Sequence, residues 1–206
     1  MDNAKIARAI HEISILMRLN RDYLIELDQV NGDGDLGISM DDGFRALDEY
    51  YSGTVAKDLG QSLRGAAKVL NSAAPSSLGT ILSFGLMGMA KALRGKEAAT
   101  FGDTVAALEA GLENIEVKAG SSPGQKTIVD AFAPAVDTLK SGDFAQPEAA
   151  FEAAAEAAAD GSESTKHMVA VHGRAVFTAA RSLGVLDGGS VVGKLIFEGI
   201  ALSAKR

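Results

Sequence analysis

The sequence predicts an all-α protein of about eight or nine helical segments, and three observations carry that prediction. Apolar residues recur mostly at three- and four-residue spacings along the chain, the period of one helix face. The composition is alanine-rich, with 5% aromatic residues, no tryptophan and four prolines, whereas strands favour β-branched and aromatic side chains. The glycine-rich stretches fall between the periodic segments and are short, which implies mainly antiparallel neighbours.

In order, the pattern predicts a first helix from Ala4 to about Leu27 and a second from Ile38 to about Tyr51, broken by Ser52-Gly53. A third runs from about Val55 to Ala74, where Pro75 disfavours an α conformation in the residue before it. Ser76 to Thr80 opens an apolar helix reaching about Leu93, whose Gly85/Gly88 spacing permits close packing. Thr100 to about Val117 follows, then the glycine-rich loop Ala119 to Gly124 and a helix from Gln125 to Leu139, with Pro134 predicting a kink or a boundary near Ala133. Pro147 opens a helix to Ala159, expected to be solvated with a small-residue face, and Ser162 or Ser164 caps another reaching Leu183. A polar turn, Asp187 to Ser190, precedes a last helix from Val191 to Ala204.

At 206 residues the chain is long enough for one domain with a substantial core, and a single domain over 1–206 is expected. The absence of cysteine excludes a disulfide framework, a thiolate metal site and a cysteine nucleophile, and fits a reducing compartment. No basic region followed by a long apolar run opens the sequence, and no apolar stretch reaches membrane-spanning length. The expected location is the cytoplasm, with no membrane partner. Net charge is −7, with 27 acidic against 20 scattered basic residues, so nucleic acid is not an expected partner.

One stretch concentrates chemistry. Asp28-Gln-Val-Asn-Gly-Asp-Gly-Asp-Leu-Gly37 places three carboxylates, Asp28, Asp33 and Asp35, among three glycines between two helical patterns. Carboxylates this close repel one another unless a cation or solvent compensates them, and Mg²⁺ characteristically takes a few carboxylates while phosphate oxygens and water complete its shell. A solvated helix connection with aspartate caps is the alternative on the residues alone. An EF-hand reading fails: Asn31-Gly-Asp33-Gly-Asp35 matches the first five positions, but Leu36 stands where the sharp turn needs glycine and Asp42 where a bidentate glutamate is usual. His167 and His172 are five apart rather than four, which argues against a helical zinc pair. His11, Lys126 and the methionines have structural readings, with Lys126 exposed at a helix start and Thr127 capping it.

The order of three motifs resembles a known family. Leu27-Asp-Gln-Val-Asn-Gly-Asp-Gly-Asp-Leu-Gly37 resembles the Leu-Asp-x-x-x-Gly-Asp-x-Asp-His-Gly motif of the nucleotide-binding L subunit, or L domain, of dihydroxyacetone kinases. Pro123-Gly-Gln-Lys-Thr127 followed by Asp130 is similar to its Pro-Gly-Asp-Lys-Thr-x-x-Asp segment. Gly173-Arg-Ala175, Arg181-Ser-Leu-Gly184 and Asp187-Gly-Gly189 resemble its Gly-Arg-Ala, Arg-Ser-x-Gly and Asp-Pro-Gly.

The resemblance implies an eight-helix antiparallel up-and-down barrel holding ATP or ADP through two Mg²⁺ in the loops at one end. It implies Asp28, Asp33 and Asp35 as metal ligands that, with Arg174, form the catalytic set. Nucleotide contacts would fall on Leu36, Gly37, Ile38 and Ser39, on Ser77, Leu78 and Gly79, on Gly120, on Thr127 and Ile128, on Arg174, and on Asp187, Gly188 and Gly189. Phosphoryl transfer depends mostly on positioning and charge neutralisation, so such a set needs no nucleophile. The implied activity is that of a kinase subunit transferring phosphate to dihydroxyacetone or another short ketose or tetrose held by a sugar-binding K-type partner subunit. A phosphocarrier subunit and a second copy of this chain are further candidate partners. A regulatory, non-catalytic nucleotide-binding module is the alternative, because three positions depart from the family pattern. Leu36 replaces its histidine, Leu78 stands where a serine hydroxyl is expected, and Gly188 replaces its proline.

Overall fold

A computed structural model describes residues 1–53, 56–142, 144, 146–173, 176 and 182–205. Side chains at the helix starts set most of the boundaries. Asp2 accepts from the Lys5 N–H and opens α1 (Asn3–Leu19); Asn20 leaves the helical conformation and α2 (Arg21–Gln29) follows. The single helix expected over 4–27 is therefore two, and at the break the Leu16 carbonyl accepts from both the backbone N–H and the side-chain amide of Asn20. Next come α3 (Leu36–Ser52) and α4 (Leu59–Ala73), the latter capped by Asp58 through the Gln61 N–H. The expected start at Val55 lies outside the described residues.

Ser76 caps α5 (Ser77–Ala92), and Thr100 with Asp103 forms a reciprocal capping box on α6 (Phe101–Ala119). The remaining α-helices are α7 (Val129–Ser141), α8 (Pro147–Ser164) and α9 (Gly188–Ala204), the last capped by Asp187. Each such cap contributes about 1 kcal/mol by satisfying a first-turn amide. The described residues hold nine α-helices and no strand.

Four expectations in the second half are corrected. α7 starts at Val129 rather than Gln125, because Gly124 to Ile128 form a turn gripped by Asp130, and it continues through Pro134 without a boundary. The predicted break near residues 160–162 is absent: α8 runs on through Gly161 to Ser164 and ends in a 3₁₀ turn, Thr165–His167. Gly161 is there for packing, since a Cβ on it would lie 2.1 Å from the Asp130 carbonyl and 2.8 Å from the Pro134 ring. That carbonyl is the one Pro134, lacking an N–H, cannot engage within α7. Residues 168–173 are not helical, so the helix expected over Ser162–Leu183 does not form in its described first half. The alanine-rich face of α8 is not solvated either; Ala150, Ala154, Ala158 and Ser162 form a buried stripe.

Setting aside short α2, which lies mainly against α3, the helices close a ring. α1 packs on α3, each following helix packs on the next through α8, α8 packs on α9, and α9 returns to α1. Directions alternate around it. The chain starts of α1, α4 and α6 meet at one end, where Ala99 and Met1 exchange backbone hydrogen bonds, Asn3 reaches the Ala56 carbonyl and the Leu59 N–H donates to Lys96. The starts of α3, α5, α7 and α9 meet at the other, as described below. Eight helices in alternating directions around a closed ring are what an up-and-down barrel requires. The inward faces supply the core, with Met17, Met40, Leu63, Val136 and Phe197 fully buried or nearly so. They also enclose an apolar cavity of about 530 Å³, lined from α1 and α3 to α9 and reaching the end that carries Met1, Lys5 and Pro147. Among the described residues no helix is long and apolar enough to cross a membrane.

Candidate functional site

The Asp28–Asp35 loop lies between α2 and α3. The Asp28 carboxylate accepts from the Gly34 N–H at 2.8 Å, which folds the loop back over the end of α2. This brings ligand oxygens of Asp28, Asp33 and Asp35 within 4.8 Å of one another, Asp28 half-buried and the other two exposed. Three hard oxygen donors at that spacing fit a divalent cation of the Mg²⁺ type, with open sides for phosphate oxygens or water. Immediately beyond, Asp35 ends the loop without a side-chain cap, so the first amides of α3, from Leu36 on, lie at its positive N-terminus beside the carboxylates. Gly37 is required in that turn, because a Cβ there would lie 2.1 Å from the Arg21 carbonyl.

Three other helix starts join this one. The Ser39 hydroxyl donates to the Ser76 hydroxyl at 2.7 Å, tying α3 to the cap of α5, where Ser77 is exposed and Leu78 is half-buried against the core. A Cβ on Gly188 would stand 2.6 Å from Leu36 Cδ2, and one on Gly189 would stand 3.4 Å from the Ile128 nitrogen, so α9 touches both α3 and α7. The sequence-predicted residues of all four segments are thus gathered at one end. Helix N-termini converging beside a carboxylate cluster suit an anion that arrives with its own cation, as a nucleotide phosphate does.

Leu36 and Gly188, two of the three departures from the family pattern, are partners in one contact. Leu36 is buried, and a side chain at 188 would collide with it. Gly120 is the left-handed C-cap of α6 and stands in open space. Ile128 is buried, and the neighbouring Thr127 hydroxyl pairs with that of Ser121 at 2.8 Å. Arg174 lies outside the described residues.

The site's charges are arranged unevenly. Asp187 keeps partial exposure as a residue, but its carboxyl is enclosed, and burial pushes it up to about 7 against the Ser190 N–H and the nearby positive charge of Lys126; Asp130 and Asp28 raise it further. Its repulsion from Asp28 places the last loop within electrostatic reach of the first. Lys126 corrects the sequence reading: it is buried, not exposed, and its ammonium donates to the Thr165 and Val185 carbonyls. Desolvation lowers its pKa, opposed by Asp187 and Asp130. Asp130 in turn accepts from the Gly124 and Thr127 amides at 2.5 and 2.7 Å. Sequence reasoning missed Ser76 and Ser121 as parts of this end, and it quoted Lys126 and Asp130 in a motif without giving either a role there. Ser76 had a local signal, a serine three residues before Gly79 at a helix start.

Comparison with known proteins follows the same outline. Residues 30–202 match the DAK2 domain model. The chain is 31% identical over 195 residues to "PEP-dependent dihydroxyacetone kinase 2, ADP-binding subunit DhaL" of Listeria innocua, covering 92% of this chain and 89% of that protein. It is 28% identical over 186 residues to "PEP-dependent dihydroxyacetone kinase, ADP-binding subunit DhaL" of Escherichia coli, covering 89% of each. The crystal structure of the dihydroxyacetone kinase of C. freundii in its native form superposes with a TM-score of 0.76 at 25% identity, over 98% of this chain and 35% of that one. The same kinase in complex with AMP-PNP and Mg²⁺ gives 0.77 at 24%. The chain therefore spans about a third of that kinase and nearly the whole of the ADP-binding subunits. It belongs to the DAK2 domain family.

Proposed function

We propose that residues 1–206 act as one nucleotide-binding domain, the phosphotransfer subunit of a cytoplasmic dihydroxyacetone-type kinase. In this reading it holds ATP or ADP through two Mg²⁺ ions and passes the phosphoryl group to a short ketose bound on a sugar-carrying partner subunit. The observation that carries the reading is the carboxylate triad, with ligand oxygens within 4.8 Å, set beside the uncapped start of α3 at the meeting point of four helix starts. When bound, the cations would supply charge neutralisation and alignment of the phosphates. The chain's own residues then have separable tasks. Asp28, fixed by the Gly34 N–H, anchors the ligand set; Asp33 and Asp35 complete it from the exposed side. The amides of Leu36 to Ile38 face phosphate charge, and Leu78, Ile128 and Gly188-Gly189 wall the nucleotide. Arg174 would add positive charge to the phosphates.

A second reading has specific support. The relatives named above are PEP-dependent and ADP-binding by name, which favours ADP kept as a bound cofactor and rephosphorylated by a phosphocarrier over ATP used as an exchanging substrate. Both readings require Mg²⁺-dependent nucleotide binding. Calorimetric titration of the chain with ADP and ATP, with and without Mg²⁺, is expected to show binding only with the metal. No binding of either nucleotide overturns both readings. ADP that copurifies and exchanges slowly selects the cofactor reading. Absence of phosphate transfer to several short ketoses when the chain is combined with a sugar-binding subunit leaves the regulatory module.

A further inference from the structure

Lys126 has three properties that rarely coincide. It is 4% exposed, it is the only non-glycine described residue with positive φ, at 60°, and its ammonium is turned inward onto the main chain. A lysine loses more side-chain entropy on burial than most residues, and a left-handed conformation strains any residue with a Cβ. A turn that needed only this backbone shape would be better served by glycine. The side chain is therefore what the position uses.

Its contacts join three segments far apart in sequence. Nζ lies 2.5 Å from the Thr165 carbonyl, where α8 gives way to the 3₁₀ turn, and 2.6 Å from the Val185 carbonyl in the segment leading to α9. The backbone of Lys126 is held by the turn that Asp130 clamps through the Gly124 and Thr127 amides. The 182–187 segment has other ties as well: the Ser182 hydroxyl accepts from the Ala170 N–H at 3.2 Å, and Leu186 packs against the core. The Gly184 N–H donates to Lys166, and the Asp187 N–H donates to the Thr165 hydroxyl at 3.0 Å. That same segment delivers Asp187 to Gly189 to the site.

We propose that Lys126 is a positioning residue: its ammonium docks the 182–187 segment onto the 124–128 turn and so sets where Asp187–Gly189 stand relative to Thr127 and Ile128. It touches neither nucleotide nor metal. The consequence for nucleotide affinity rests on the function proposed above; the docking itself does not.

The test compares Lys126→Met, which keeps the length and loses the charge, with Lys126→Gly, which also relaxes the backbone. Amide hydrogen exchange on the full chain without nucleotide is read at Gly184 and Asp187, with α4 and α5 as internal reference. Titration with ADP and Mg²⁺ gives the affinity. Both variants are expected to exchange faster at 184 and 187 while α4 and α5 stay protected, and to bind ADP about tenfold more weakly. Wild-type protection and affinity in Lys126→Gly would overturn the proposal, since backbone shape would then be the whole role; unchanged exchange at 184 and 187 in Lys126→Met would overturn it too. If Lys126→Met does not fold, Lys126→Gly decides alone. If the wild-type chain fails to bind ADP, the proposed function falls, and the exchange measurement still decides the docking.

Discussion

The two ends of the helix ring are built from similar loops and solve opposite problems. At the end carrying Met1, acidic side chains are matched locally: Asp103 caps α6 and meets Lys96 at 2.6 Å, and Asp58 accepts from the amides of Gln61 and Gly95. At the other end Asp28, Asp33 and Asp35 are placed against one another, Asp28 repels the enclosed Asp187 carboxyl, and the buried Lys126 donates to main-chain carbonyls. One end is arranged to be complete by itself. The other gathers three carboxylates within 4.8 Å of one another, an asymmetry that supports the cation-binding role proposed above.

The comparison breaks most sharply at the carboxylate triad. Asp33→Asn is expected to weaken Mg²⁺-dependent nucleotide binding on the order of a hundredfold while the metal-free melting temperature stays level or rises, because a repulsive charge is removed. Unchanged affinity by titration calorimetry would reduce the loop to a solvated connection. Gly37→Ala tests the scaffold beneath it. A methyl group 2.1 Å from the Arg21 carbonyl must displace the first turn of α3, costing about 1–3 kcal/mol in chemical denaturation and weakening ADP binding as well. At the far end, Thr100→Ala removes half of the capping box and is expected to cost about 1 kcal/mol of stability with ADP affinity unchanged. A loss of affinity there would show that the two ends are not independent.

The smallest effect is a difference in sign. Lys96 and the Thr100 hydrogen bonds hold the Asp103 carboxyl down at about 2, so its contribution to stability is present above its ordinary value of 3.8 and is lost as pH falls through about 2. Burial holds Asp187 up at about 7, so its contribution is full below 3.8 and is lost as pH rises through about 7. Melting temperatures of the metal-free protein should therefore lose an acid limb in Asp103→Asn and a neutral limb in Asp187→Asn. The same limb altered in both variants would contradict the separation of the ends.

Much of this was readable without coordinates, and the failures share a cause. Apolar periodicity located the helices, and Pro75, Pro147 and the carboxylate loop marked real boundaries, because each acts on residues within a turn or two of itself. The helix was expected to end at Ala159, yet α8 runs on through Gly161, whose reason lies across the interface, in the Asp130 carbonyl that Pro134 frees. Asn20 was missed as a polar residue inside a pattern that stays amphipathic on both sides of it.

What the sequence determined by itself is the helical class and the existence of an acidic, glycine-rich loop. The tertiary structure decided that four helix starts meet around that loop, that Ser39 meets Ser76 and Leu36 meets Gly188, and that Lys126 is buried against carbonyls 39 and 59 residues away. Periodicity and capping are set by neighbours along the chain. Burial and the pairing of hydroxyls, carboxylates and carbonyls across the ring are set by which helix ends its closure brings together.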